Sequence, residues 1–176
     1  MTSANKDSLK SVQINTDRAA LILGYLVEHL SGQSLDRFVA DRVSAPFEMD
    51  STRFGPLPAD VVARCAPTEF DAEAGLRIKG TPHDYSARLL AVCGIAGVFS
   101  TAADLGRFLQ HLLWAQDPLA SWVAESLTVQ TGSLGPARGF FWQPASGSDP
   151  VEDVWVHYGL PVQQCGSRPR SAGGQR

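Results

Sequence analysis

A serine and a lysine one helical turn apart make a simple acyl-transfer pair, because the lysine can take the hydroxyl proton as the oxygen attacks a carbonyl. Ser3-Ala4-Asn5-Lys6 matches that spacing as a string. It lies in a polar stretch where no buried helix can be built to hold serine, lysine and substrate in register, so the match reads as coincidence. Lysine is scarce: Lys6, Lys10 and Lys79 stand beside twelve arginines, which leaves a catalytic lysine few places to be. The chain has no G-x-S-x-G elbow, no H-E-x-x-H and no G-x-x-x-x-G-K. His83-Asp84 invites a metal reading, but no second ligand lies at helical spacing, and Asp84 is explained as an acid in the first turn of a helix. Neither a metal nor another cofactor is expected.

The bulk composition narrows the classes further. At 176 residues and 44% apolar, the chain is long and apolar enough for one domain with a core. Its net charge of −3 and the absence of a basic stripe argue against nucleic acid as a partner. Cys65, Cys93 and Cys165 are far apart and odd in number, so neither a zinc knuckle nor a disulfide framework is indicated, and Cys93 reads as a small buried residue. The polar start has no signal-peptide core and no apolar run reaches membrane-spanning length. The expectation is a cytoplasmic protein, as written, with no membrane partner; the oligomeric state stays open.

Helices are the elements that must position any site. Thr16 and Asp17 are good N-cap types, followed at helical spacing by Ala20, Leu23, Gly24, Val27 and Leu30, and Ser31-Gly32 supplies a stop. A second helix is expected from Ser34, with Leu35, Phe38, Val39, Arg42 and Val43 on one face and Pro46 ending it. Residues 48–80 read as a long irregular connection. Thr81-Pro82 predicts a new helix with threonine as N-cap and proline in the first position. After an apolar turn bounded by Gly94 and Gly97, Ser100 or Thr101 caps an amphipathic helix with the stripe Leu105, Phe108, Leu109, Leu112 and Leu113, and Asp104 favours its positive end. Another helix is expected from Pro118. Gly139-Phe140-Phe141-Trp142 and Val154-Trp155-Val156-His157 read as two strands of a late hairpin.

Four blocks occur in one order: Ser51-Thr52-Arg53-Phe54, Ala66-Pro67-Thr68-Glu69, Gly80-Thr81-Pro82-His83-Asp84, and Phe99-Ser100-Thr101-Ala102-Ala103-Asp104-Leu105. That ordered set resembles the serine β-lactamase-related family of class C β-lactamases, penicillin-binding DD-peptidases and their esterase relatives. The resemblance runs from about Val12 to Gly159. It implies an α+β fold, of which this chain holds the mostly helical portion and a short C-terminal antiparallel hairpin, with the sheet incomplete. It also implies a partial domain over residues 12–159 and a small acyl compound as substrate; the polar start (1–11) and the aperiodic Gly-, Ser-, Arg- and Pro-containing end (160–176) read from composition as a disordered N-terminus and a disordered tail.

The family's three motifs fare unequally. His157-Tyr158-Gly159 looks like the H-x-G motif that orients substrate from an edge strand, where the glycine lets substrate approach the backbone. The plainer alternative is a histidine at a fraying strand end. Counting back from Leu23-Gly24 puts Asn15-Thr16-Asp17 at the tyrosine motif, so Asp17 takes the acidic place. Asn15 then stands where a phenol is expected, and an amide does not exchange a proton near neutral pH. An equal alternative makes Asn15 a loop residue before a Thr16 or Asp17 cap. The nucleophile motif belongs far upstream of the tyrosine motif, whereas Lys6 lies nine residues from Asn15. The implied catalytic set is therefore Asp17, His157 and Gly159 without a nucleophile. Leu160-Pro161-Val162 also departs from the glycine- and threonine-rich continuation of the family. The first expectation is a truncated or degenerate member unable to perform acyl transfer alone. An active esterase built on Ser3 and Lys6, and a non-catalytic helical interaction module, are the alternatives.

Overall fold

The computed structural model describes residues 17–116, 118–133, 136–145 and 154–157. Helix α1 runs over Asp17–Ser31 and stops where the sequence predicts, with Gly32 at φ 67° and its N–H bonded to the Glu28 carbonyl at 2.9 Å. Helix α2 (Leu35–Val39) packs on α1. Ser34 precedes it in extended conformation but makes no side-chain cap; the Glu28 carboxylate of α1 instead accepts the Leu35 N–H at 2.9 Å. The expected single helix to Pro46 changes pitch: Ala40–Ser44 form a π-helical turn, and the Ala45 N–H reaches back to the Ala40 carbonyl.

The region read as irregular, 48–80, is more ordered than its composition suggests. It holds β1 (Arg53–Phe54), α3 (Ala59–Arg64), β2 (Phe70–Asp71) and β3 (Leu76–Arg77), with β2 and β3 paired antiparallel. Strands of two residues carry no readable alternation, which is why pattern alone missed them. Helix α4 (Tyr85–Leu90) starts later than Thr81-Pro82 predicts. Asp84 is its N-cap, accepting the Ala87 N–H at 2.7 Å, because a carboxylate so placed satisfies an orphan helix donor. Thr81 and Pro82 fall in the turn before it.

Strand β4 (Val98–Phe99) pairs antiparallel with β1, matching Arg53 to Phe99 and Phe54 to Val98 across the chain. Helices α5 (Ala102–Leu113) and α6 (Leu119–Ser126) then pack together. The late hairpin exists but is shifted: β5 is Gln143–Pro144 and β6 is Trp155–Val156. Residues 139–142 form a turn instead, with Phe141 at φ 66°. The sum is α+β, with helices dominating and, among the described residues, three short antiparallel pairs rather than strands confined to the end. Among the described residues no helix is long and apolar enough to cross a membrane.

The buried apolar set among the described residues is small: Leu35, Met49, Ala87 and Cys93. The expected stripes are covered only in part. On α5, Phe108 and Leu112 are half-buried while Leu105, Leu109 and Leu113 remain exposed, and on α1 Leu30 is 75% exposed. Besides its packing on α2, α1 makes a close backbone approach. Gly24 is buried beneath Leu35, and its Cβ position lies 3.0 Å from the Gly94 nitrogen; a Cβ on Gly94 would collide with the Ala20 carbonyl oxygen. Gly94→Ala should therefore cost about 1–3 kcal/mol, the usual penalty for overpacking, read as a lower midpoint in thermal or urea unfolding. Gly106→Ala is the counterpart: its site on α5 is open, so it should gain up to about 1 kcal/mol from helix propensity. Equal effects at the two glycines would contradict the close-approach account.

Candidate functional site

The two sequence blocks at 51–54 and 99–105 meet at one carboxylate. Asp104 is 1% exposed; its Oδ2 accepts the Ser51 N–H at 2.9 Å and the Thr52 hydroxyl at 2.8 Å, and its Oδ1 accepts from Arg107 Nη1 at 2.8 Å. Thr52 gives its hydrogen to Asp104, so at 2.7 Å it accepts from the Ser100 hydroxyl. Thr101 caps α5 by accepting the Asp104 N–H at 3.2 Å, which points the carboxylate back toward the β1 loop. Burial pushes this carboxyl up, but the bonds from Thr52, Ser51 and Arg107 outweigh it and hold Asp104 below the usual carboxylate range. Sequence reasoning placed Asp104 as a favourable charge at a helix start and missed this role. The available signal was that Ser51-Thr52 and Asp104 both lie in the ordered blocks.

Beside the pin opens a cleft of about 890 Å³ whose walls include Leu35, Phe54, Val61, His83, Cys93 and Ile95. Ser51, Ser100 and Thr101 stand at its edge, so the pin fixes one wall. Several of its other polar groups are engaged locally. Cys65 Sγ donates to the Val61 carbonyl at 3.4 Å, Cys93 Sγ to that of Ala96 at 3.8 Å, and the Thr68 hydroxyl to that of Ile78 at 3.3 Å. Asp84 is occupied as the α4 cap. Lys79, the one lysine among the described residues, donates its Nζ to the Ala63 carbonyl at 2.8 Å. The cleft thus offers shape and apolar wall, and the bonds within it pair no hydroxyl or thiol with a lysine or histidine.

Of the residues implied as catalytic, Asp17 lies exposed in the first turn of α1, and His157 directly follows β6. Among the described residues no hydrogen bond or ion pair joins them. Gly159 lies outside the described residues, as do Tyr158, Asn15, Ser3 and Lys6. His157 is held by its hairpin: Nδ1 is 2.6 Å from the Phe141 carbonyl oxygen, and the Trp142 ring meets it edge-on with centroids 6.1 Å apart. The Phe141 carbonyl has no counterpart in the sequence reading, since a backbone atom carries no residue signature.

Comparison with known proteins decides the kinship. The beta-lactamase family model matches residues 16–171, nearly the whole chain. The chain belongs to the beta-lactamase family. A curated relative from Escherichia coli (strain K12), described as "Putative D-alanyl-D-alanine carboxypeptidase", is 30% identical over 117 residues, covering 58% of this chain and 27% of that protein. The chain thus spans about a quarter of that relative's length. Among solved structures, a beta-lactamase/D-alanine carboxypeptidase from Yersinia pestis, complexed with citrate, superposes at TM-score 0.56 with 19% identity, covering 76% of this chain and 38% of that one. A beta-lactamase from Sulfitobacter sp. EE-36 superposes at 0.52 with 20% identity, covering 73% and 34%. These superpositions speak for the fold.

Within this beta-lactamase-family chain, the ordered blocks that carry the resemblance contribute strands, caps and turns to the wall of the cleft beside Asp104. Because the folded carboxyl sits below its unfolded value, the stability it confers is fully present above about pH 4, the ordinary aspartate range. It is lost as pH falls through the folded value. Asp104→Asn should lower the melting temperature at pH 7 and flatten its dependence on pH below about 4. Parallel pH profiles for the two proteins would show that Asp104 is not the pin.

Proposed function

We propose that this chain contributes the helical wall and the edge-strand histidine of an acyl-transfer site for small ester or amide substrates, and does not carry out the transfer by itself. Family membership supports the chemistry: attack on a carbonyl by a serine whose proton passes to a neighbouring base. The name of the E. coli relative supports amides ending in D-alanine as one substrate class. The observation that carries the second half is Lys79, whose ammonium is tied to the Ala63 carbonyl and so is not poised beside a serine. Ser3 and Lys6 are the one S-x-x-K of this stretch that resembles the pair, in a polar context, and Asn15 stands where a proton-relaying phenol would be. In this reading His157 and Gly159 form the substrate-orienting edge and Asp17 the acidic place of the tyrosine motif.

The test is intact-mass analysis after incubation with a fluorophosphonate and with a penicillin. The chain should remain unmodified, since without an activated nucleophile no acyl-enzyme forms. A stoichiometric adduct on any serine overturns the reading, and an adduct abolished by Ser3→Ala establishes the compact Ser3–Lys6 esterase in its place.

A second reading, a non-catalytic interaction module, is favoured by one observation. Leu105, Leu109 and Leu113, at helical i, i+4, i+8 spacing, all lie on exposed α5, with Leu113 at 71% and the adjoining Trp114 at 67% exposed. Such a face is what a second polypeptide covers. Purified protein should bind a hydrophobic-surface dye and elute larger than a monomer; a dye-silent monomer ends this reading.

A further inference from the structure

The turn before β5 is built to aim one backbone carbonyl. The Phe140 N–H bonds the Ser126 carbonyl at 3.0 Å, and the Gly139 N–H bonds the Trp142 carbonyl at 2.9 Å. Gly139 sits so close to α6 that a Cβ there would strike the Ser126 carbonyl oxygen. Between these two anchors Phe141 takes φ 66°, the left-handed region that a bulky residue enters only when its surroundings force it. The product is a carbonyl directed across the hairpin at His157 Nδ1, 2.6 Å away, while Trp142 holds the ring from its edge.

A carbonyl oxygen only accepts, so Nδ1 must carry the hydrogen in both the neutral and the cationic ring. In the neutral ring Nε2 is then a bare lone pair, and it meets no partner among the described residues. We propose that Phe141 is a positioning residue that locks His157 in the Nδ1–H tautomer, making Nε2 a hydrogen-bond acceptor for an O–H or N–H group of the acyl substrate. This rests on the reading of His157 as the substrate-orienting edge. The chemical consequence is selective. A neutral acceptor at Nε2 suits an alcohol or amide donor, and it gives nothing to a substrate carboxylate until the ring is protonated.

The test reads the ring directly by 15N NMR on the full chain with labelled histidine, at about pH 8, above the ordinary imidazole value of about 6.5. The His157 signal is assigned by its loss in His157→Gln. Nδ1 should show the pyrrole-type shift and Nε2 the pyridine-type shift, with the Nδ1–H form in several-fold excess. Phe141→Gly, which adopts the same φ without steric cost, should keep that signature. Phe141→Pro, whose ring imposes negative φ, should shift the equilibrium toward Nε2–H while circular dichroism keeps the helical signal. An Nε2–H signature in the unaltered chain overturns the inference, as does an unchanged Nδ1–H excess in Phe141→Pro. The measurement needs no turnover, so a serine adduct in the mass experiment would strike the functional reading alone, and an Nε2–H ring would strike this inference alone.

Discussion

A carboxylate withdrawn from water organises this chain. Asp104 and Ser126 are its most completely buried larger side chains among the described residues, and both are polar. An unpaired charge so placed would be prohibitive, so Asp104 persists only because Ser51, Thr52 and Arg107 all donate to it. Those donors are the constraint: to satisfy the carboxylate, the loop at 51–52 must lie against the start of α5. That brings β1 beside β4, and with them the wall of the cleft. Ser126 works similarly at the other end, its own carbonyl anchoring the turn that aims Phe141 at His157. Directional bonds, more than a deep apolar core, fix the geometry along the cleft wall and in the late hairpin.

The same contrast explains what the sequence made legible. Helices α1 and α5 were readable because long apolar periodicity coincided with punctuation, Gly32 after one and Thr101 before the other. The start of α4 was misplaced because Thr81-Pro82 and Asp84 compete for one helix end, and the carboxylate prevails. The hairpin slipped because Phe140, Phe141 and Trp142 have strand-forming side chains while the bond to Ser126 bends their backbone. The π-helical turn after α2 answers to no pattern we recognise in its residues. His157 is singled out by its motif alone, and Asp104 reads in the sequence only as a helix-end charge. The partners that give each its meaning lie some fifteen to fifty positions away in sequence.

Scaffold and chemistry separate cleanly in this molecule. The blocks that reveal kinship are caps, pins and glycine turns, and they would hold a cleft open whatever reacted within it. That is why family membership follows so readily from them and activity does not. The exposed leucines of α5 belong to the same division, since the helix forms by local rules whether or not its outer stripe is covered.

The Gly24–Gly94 contact carries a different lesson. A crowded side-chain contact can be relieved by trimming the neighbour, but here the nearest obstructing atoms are backbone: those of Gly94 for a Cβ on Gly24, where the Leu35 side chain also crowds, and the Ala20 carbonyl for one on Gly94. Neither can be made smaller, and glycine has no smaller substitute. Damage at Gly94 therefore has no second-site suppressor through side-chain size. It can be reversed only by moving α1 bodily, or by restoring the glycine. Gly94 is thus easy to break and closed to repair by side-chain compensation.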